Sequence, residues 1–208
     1  GKGKYYESQF EEATIELLRE SHWQYTFGDD IHRKYTDPLI EEDLRTFLAA
    51  QYKDKKLTAS EVDGIVANLR NTGGQNDYYA LQNTFLLYRD GYDFTYSDGR
   101  DNPFRLQYID FEHPDHNIFR CVNQFVMEQG RENRRPDILL FVNGIPVCIV
   151  ELKNPTKQNA TIRDAYTQIC TRYMRDIPAL LKYCALAVIS DGAKNKLGTP
   201  YTPFEFFY

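Results

Sequence analysis

Three observations predict an α/β fold, a mixed central β-sheet flanked by helices. Helical patterning dominates residues 1–90, strand-like runs replace it from about Leu106, and a helical segment separates the last two apolar strands. Strands joined by a tight turn pair antiparallel, whereas a strand reached through a crossover helix adds in parallel, so a sheet with both connections is mixed.

The first helix is expected around Glu7 to Leu18, with Phe10, Thr14, Leu17 and Leu18 marking its buried stripe and Glu11 beside it. Asp37-Pro38 predicts a second helix through Leu44, Phe47 and Leu48, with Asp37 as cap and Pro38 in the first position. Thr58-Ala59-Ser60-Glu61 has capping-box spacing before Val62, Ile65, Val66 and Leu69. Another helix is expected from about Asp77 to Tyr88, stopping at Gly91. Strands are expected from Leu106 to Phe111 and from Asn117 to Met127, then a helix from about Ala160 to Met174 and a final apolar strand from Cys184 to Ile189.

Between them lies the most informative stretch, Arg135 to Lys153. Asn143-Gly144 separates two apolar runs, and Asn-Gly favours a turn with positive φ, so Ile138 to Val142 and Val147 to Leu152 should pair as an antiparallel hairpin. Counting outward from the turn brings Asp137 and Glu151 to Lys153 to the same open end. Side chains alternate across a strand, so Glu151 and Lys153 share one face and Leu152 takes the other. Two carboxylates at a strand end suit Mg²⁺, a hard ion that prefers oxygen ligands and keeps positions open for water and phosphate. A neighbouring ammonium can orient an attacking water or offset charge in a transition state, which is phosphodiester hydrolysis chemistry. Read one by one, the same residues are a turn acid before a strand and a solvated i, i+2 pair at a strand exit.

Composition bounds the rest. With 208 residues, 42% hydrophobic, 26% charged and 14% aromatic, the chain can bury a core. Cys121, Cys148, Cys170 and Cys184 are widely spaced and sit mostly in apolar text, which points to buried thiols in a reducing compartment rather than disulfides or zinc ligands. Apolar runs fall far short of the roughly 20 residues that span a bilayer, and Gly1-Lys2-Gly3-Lys4 opens no signal-like run, so a cytoplasmic protein is expected. A formal charge of −5 argues against tight independent binding to nucleic acid. Local positive charge nevertheless flanks the hairpin at Arg131, Arg134, Arg135, Lys153, Lys157, Arg163, Arg172 and Arg175, as DNA-channel lining or as ordinary surface charge. His113-Pro114-Asp115-His116 is read as a turn rather than a zinc site, since no second cluster completes four ligands. No G-x-S-x-G elbow supports a serine hydrolase.

Pro136-Asp137 followed by Glu151-Leu152-Lys153 resembles the PD-(D/E)xK nuclease motif. The wider text resembles the amino-terminal endonuclease domain of type I restriction enzyme R subunits, through Asn117-Ile118-Phe119-Arg120-Cys121-Val122-Asn123-Gln124-Phe125, Asn143-Gly144-Ile145-Pro146 and Asn154-Pro155. Asp176-Ile177-Pro178-Ala179-Leu180-Leu181 and Ser190-Asp191-Gly192 extend it.

The resemblance implies a restriction-endonuclease-like core in which Asp137 and Glu151 bind Mg²⁺ and Lys153 assists the attack. It implies one nuclease domain over 1–208, helical over 1–90 and with its core at 104–192. Such a domain would cut double-stranded DNA without reading sequence, after ATP-driven translocation by a motor, alongside methyltransferase and specificity subunits. The chain has no G-x-x-x-x-G-K-S/T loop and no room for motor domains, so it reads as a fragment of a longer polypeptide. The family often presents a further acid from its first core helix; Glu11 is the choice, with the alternative that Glu7, Glu11, Glu12 and Glu16 are a solvated face. R subunits and the related RecB-like nucleases also carry Gln-x-x-x-Tyr on the helix after the Glu-x-Lys strand, where it contacts DNA or supports the site. Here Gln168 and Tyr173 are one residue farther apart. A single-turn π-bulge would absorb the extra residue. The competing functional reading is a catalytically silent module that keeps the fold for docking DNA or subunits.

Overall fold

The computed structural model describes residues 2–154 and 161–208, with side chains from Tyr6 onward. Helix α1 (Lys2–Glu20) leads into strand β1 (Gln24–Phe27), followed by α2 (Glu41–Gln51), α3 (Ala59–Asn71) and α4 (Asp77–Asp90). Strands β2 (Tyr92–Phe94) and β3 (Phe104–Leu106) form a small ribbon before β4 (Phe119–Asn123). A second ribbon, β5 (Met127–Gln129) and β6 (Glu132–Arg134), precedes the hairpin β7 (Ile138–Val142) and β8 (Ile145–Leu152). Then come α5 (Ile162–Thr167), a π-helical turn (Gln168–Tyr173), α6 (Met174–Asp176), α7 (Pro178–Leu181), β9 (Leu186–Ser190) and β10 (Asn195–Gly198).

The central sheet has the order β1-β4-β7-β8-β9-β10. The hairpin is antiparallel, and β9, reached through the helical crossover, adds to β8 in parallel. This is the expected mixed sheet flanked by helices, consistent with a restriction-endonuclease-like fold. On one face Leu139, Phe141, Ile149, Ala187 and Ile189 pack against Ile162, Ala165, Ile169 and Leu180. Leu39, Leu44, Phe47, Ile65 and Leu69 cover Val142 and Ile145 near the hairpin turn. At the opposite end Ile15 of α1 covers Ile138, Cys148, Val150 and Leu152. Each fully buried side chain of this size stabilises by roughly 1.5–3 kcal/mol, which clamps α1 over the open end of the hairpin.

Several expectations need correction. The second helix begins at Glu41 rather than Pro38, because Asp37 Oδ1 accepts Leu39 N at 3.0 Å and the Asp37 carboxylate pairs with Arg70 at 2.6 Å. Asp37 thus caps a turn. The strand expected from Leu106 to Phe111 stops at Leu106. Beyond it the Asp110 carboxylate accepts Glu112 N and His113 N, and Asn117 bonds Asp110 N and O, local bonds that replace a ladder. The strand expected from Asn117 to Met127 splits at Gln124, whose φ is +55°. On α1, Leu17 is 65% exposed and Ile15 is the buried contact. The edge strands β1 and β10 were not foreseen. All four cysteines are free, and three are buried. Among the described residues no helix is long and apolar enough to cross a membrane.

The Thr58 capping box forms as expected. Its Glu61 carboxylate also receives Arg100 Nη1 at 2.7 Å and Nη2 at 2.6 Å, a two-pronged bond that holds its pKa down to about 2. An acid with a depressed folded pKa contributes stability above its unfolded pKa and loses it as pH falls through the folded one. Glu61→Gln is therefore expected to lower Tm at pH 7. The gap from wild type should close as pH falls from about 4.5 toward 2 in a thermal-melt series.

Candidate active site

The site is assembled at the open end of the hairpin. Asp137 immediately precedes Ile138, which pairs with Val150, so its carboxylate lies across from Glu151. Backbone bonds fix it there: Leu152 N donates to Asp137 Oδ2 at 2.8 Å, and Gln124 N donates to Asp137 O at 3.1 Å. Glu151 ends an apolar run on the face covered by the crossover helix, with Leu152 turned toward α1, as alternation requires. Lys153 Nζ lies 3.8 Å from Glu151 Oε1, and its backbone N–H donates to Ser190 O at 2.8 Å, which ties the strand end to β9.

Burial dominates the electrostatics here. Glu151 is 3% exposed, and burial first, then the Asp137 charge, raise its pKa well above the carboxylate range. Burial likewise raises Asp137, against the opposing bond from Leu152 N. Two acids in one dry site resist joint ionisation and favour a bound cation or a shared proton.

Three further elements converge on this pair. Glu11 comes down from α1, held by Asn123 Nδ2 at 2.7 Å and Gln124 Nε2 at 2.9 Å, while Tyr25 Oη donates to Asn123 Oδ1 at 2.8 Å. Burial raises the Glu11 pKa, and the Asp137 charge adds to the rise. Glu7, one turn earlier, also acts on Asp137 through its charge. Of the α1 acids, Glu7 and Glu11 therefore act on the site, while Glu12 and Glu16 stay on the solvated face. Glu11, Asp137 and Glu151 do not all lie within 4.8 Å of one another, a closeness that Asp110, His113 and His116 reach.

The third element is the π-helical turn spanning Gln168 to Tyr173, where Met174 N donates to Ile169 O five residues back. The wider turn absorbs the extra residue and lets both side chains face the same way. Tyr173 Oη donates to Glu151 Oε2 at 3.3 Å, and the Gln168 amide acts on the same hydroxyl. Burial raises the Tyr173 pKa, so the hydroxyl stays a donor. Gln168 and Tyr173 also line a cleft of about 590 Å³ together with Arg134 and Arg135.

Most of the flanking cations are already engaged within the fold. Arg134 and Arg175 are spent on Asp176, at 2.7 and 2.6 Å; Arg172 donates to Gln168 Oε1; and Arg163 covers the Phe204 ring. Lys157 lies outside the described residues. Asn123, Gln124 and Tyr25 were missed as site residues. The signal available for Asn123 and Gln124 was their place in the quoted stretch before the hairpin, whereas Tyr25 lies far from it in sequence; the left-handed turn at Gln124 that aims it at Glu11 depends on the fold.

The chain matches the family described as type I restriction enzyme R protein N terminus over residues 4–206. It is 30% identical over 211 residues to the type I restriction enzyme HindI endonuclease subunit of Haemophilus influenzae, covering 97% of this chain and 20% of the relative. It is 31% identical over 215 residues to a Methanocaldococcus jannaschii protein, provisionally named a type I restriction enzyme MjaIXP endonuclease subunit, covering 95% and 20%. The chain thus spans about a fifth of the length of these relatives.

Proposed function

The chain belongs to the type I restriction enzyme R protein family, in its N-terminal region, and from that premise we propose that it is a Mg²⁺-dependent endonuclease domain hydrolysing DNA phosphodiesters. The observation that carries the reading is the meeting of Asp137 and Glu151 across one strand end, with the Lys153 ammonium beside them.

The donor set fits a hard divalent ion. Asp137 and Glu151 offer carboxylate oxygens in a buried setting that raises both pKa values, so a cation there relieves their repulsion. Asp137 and Glu151 would hold it, with Glu11 as a third acid within the same cluster. When bound, the ion would lower the pKa of a water and polarise a phosphoryl oxygen. Lys153 orients the attacking water and offsets charge that develops on the phosphate. Tyr173 fixes the Glu151 carboxylate, while Asn123 and Gln124 fix that of Glu11. Arg135 and Gln168 supply polar lining for the DNA backbone in the adjacent cleft.

In this reading the substrate is double-stranded DNA, delivered by an ATP-driven motor in the longer protein and cut without a sequence read by this domain. Methyltransferase and specificity subunits are the partners, and the compartment is the cytoplasm. The domain extends over 1–208, with its nuclease core at 104–192.

The test is cleavage of a supercoiled plasmid by the assembled complex with ATP and Mg²⁺, with ATP hydrolysis followed in parallel. Asp137→Ala is expected to abolish cutting and leave ATP hydrolysis intact. If cutting survives, the acids are structural and the domain is a silent docking module.

A further inference from the structure

A second cluster of ligating side chains lies at the other end of the sheet. Pro114 opens a 3-10 turn, Pro114–His116, and in such a turn side chains three residues apart eclipse. His113 and His116 accordingly stack, with ring centroids 4.9 Å apart and planes 18° from parallel. The third group is Asp110, six residues before His116, rather than the Asp115 that the text places between the histidines. Its Oδ2 lies 3.0 Å from His116 Nδ1 and 3.6 Å from His113 Nδ1.

From this geometry we infer that Asp110, His113 and His116 form a binding site for a zinc-type divalent ion, separate from the nuclease acids. Among the described residues these three are the group whose ligand atoms all lie within 4.8 Å of one another. An ion with tetrahedral bonds of about 2.0–2.1 Å sets its ligand atoms about 3.3 Å apart, so small rotations of two imidazoles seat it. Both imidazoles are exposed, at 61% and 49% of their side chains, whereas Asp110 is buried at 7%.

The carboxylate is braced as a ligand must be. Oδ1 accepts Glu112 N at 3.0 Å and His113 N at 2.9 Å, and Oδ2 accepts Gln51 Nε2 at 2.8 Å. Asn117, which bonds the Asp110 backbone, is in turn bonded by Asn143 Nδ2 at 2.9 Å, so the loop is tied to the hairpin turn. Bracing of this kind orients ligands and sharpens affinity. Six residue steps, from Asn143 of the turn along β7 to Asp137 at the open end, roughly 20 Å, separate the two places. Two imidazoles and one carboxylate suit Zn²⁺ with water completing the shell; Mg²⁺, which prefers oxygen throughout, does not select them. The two sites therefore differ in chemistry as well as position.

Zinc titration of the untagged protein against a chromophoric chelator tests this, with Co²⁺ absorption as a second readout. One equivalent is expected to bind wild type and Asp137→Ala, and to be lost or weakened at least about tenfold in His113→Ala/His116→Ala. Both histidines are exposed, so an unchanged metal-free melt will show that the double variant folds. An equivalent that persists in the histidine variant, or vanishes with Asp137→Ala, overturns the assignment, as does the absence of binding to wild type. Because Asp137→Ala removes the proposed nuclease metal site, failure of either reading is distinguishable from failure of the other.

Discussion

Lys153→Ala is expected to lower DNA cleavage by the assembled complex by roughly 10²- to 10³-fold, the usual cost of removing one group that stabilises transition-state charge. Among the described residues Lys153 is the cation within 4.0 Å of Glu151, and it shares the strand face of that acid. A neutral side chain leaves both carboxylates and their braces in place. Metal affinity should therefore hold or rise, since a positive charge has been removed beside the ion. Asp137→Ala should instead lose metal binding and cutting together. Single-turnover cleavage across a Mg²⁺ series separates the two: Lys153→Ala depresses the plateau, and added metal does not restore it. If the plateau is unchanged, the ammonium plays no part in the chemistry. ATP hydrolysis should be wild-type in both variants, because neither side chain lies in a nucleotide-phosphate loop.

The largest folding effect is expected at Gly144. The hairpin turn places Asn143 at φ +52° and Gly144 at φ +76°, a region that L side chains enter at a cost. The glycine is also pressed against the helical layer: Ile40 N donates to Gly144 O at 2.9 Å, and an added Cβ would stand 2.1 Å from Ile40 O. Backbone cannot yield as a flexible side chain would. Gly144→Ala should cost about 3 kcal/mol or more, lowering Tm by roughly 6–12 °C for a chain of this size. Gly64 is the matched control. It lies inside α3, with nothing within 4 Å of its added Cβ, so Gly64→Ala should stabilise by about 0.5–1 kcal/mol through helix propensity. Equal melts for the two variants would refute the packing argument.

Asn143 carries the other half of that turn. Its fully buried amide accepts Ile118 N at 2.7 Å and donates to Tyr108 O at 2.8 Å. Asn-Gly signalled a turn in the text, and the structure adds that the same asparagine closes a buried polar knot between two strands and a loop. Local chemistry was enough to find the turn, and the knot needed the partners that folding delivers.

The same division runs through the whole molecule. The residue order by itself determined what depends on near neighbours: the capping box at Thr58, the Asn-Gly hairpin that brings Asp137 and Glu151 to one open end, and the alternation that separates Glu151 from Leu152; the register itself, shifted between Leu140 and Phe141, was set by the fold. Set against the Gln-x-x-x-Tyr pattern of the family it resembles, the five-residue spacing from Gln168 to Tyr173 pointed to the π-helical turn that forms. Tertiary structure decided what depends on distant groups. Asp37 caps a turn because Arg70, 33 residues on, takes its carboxylate. Glu11 reaches the site because Asn123 and Gln124, 112 and 113 residues away, grip it. Asp110 joins two histidines because side-chain bonds stop the strand that the apolar text favoured. Polar side chains choose among competing partners only when folding brings those partners within about 3 Å, and a linear pattern records propensity without that choice.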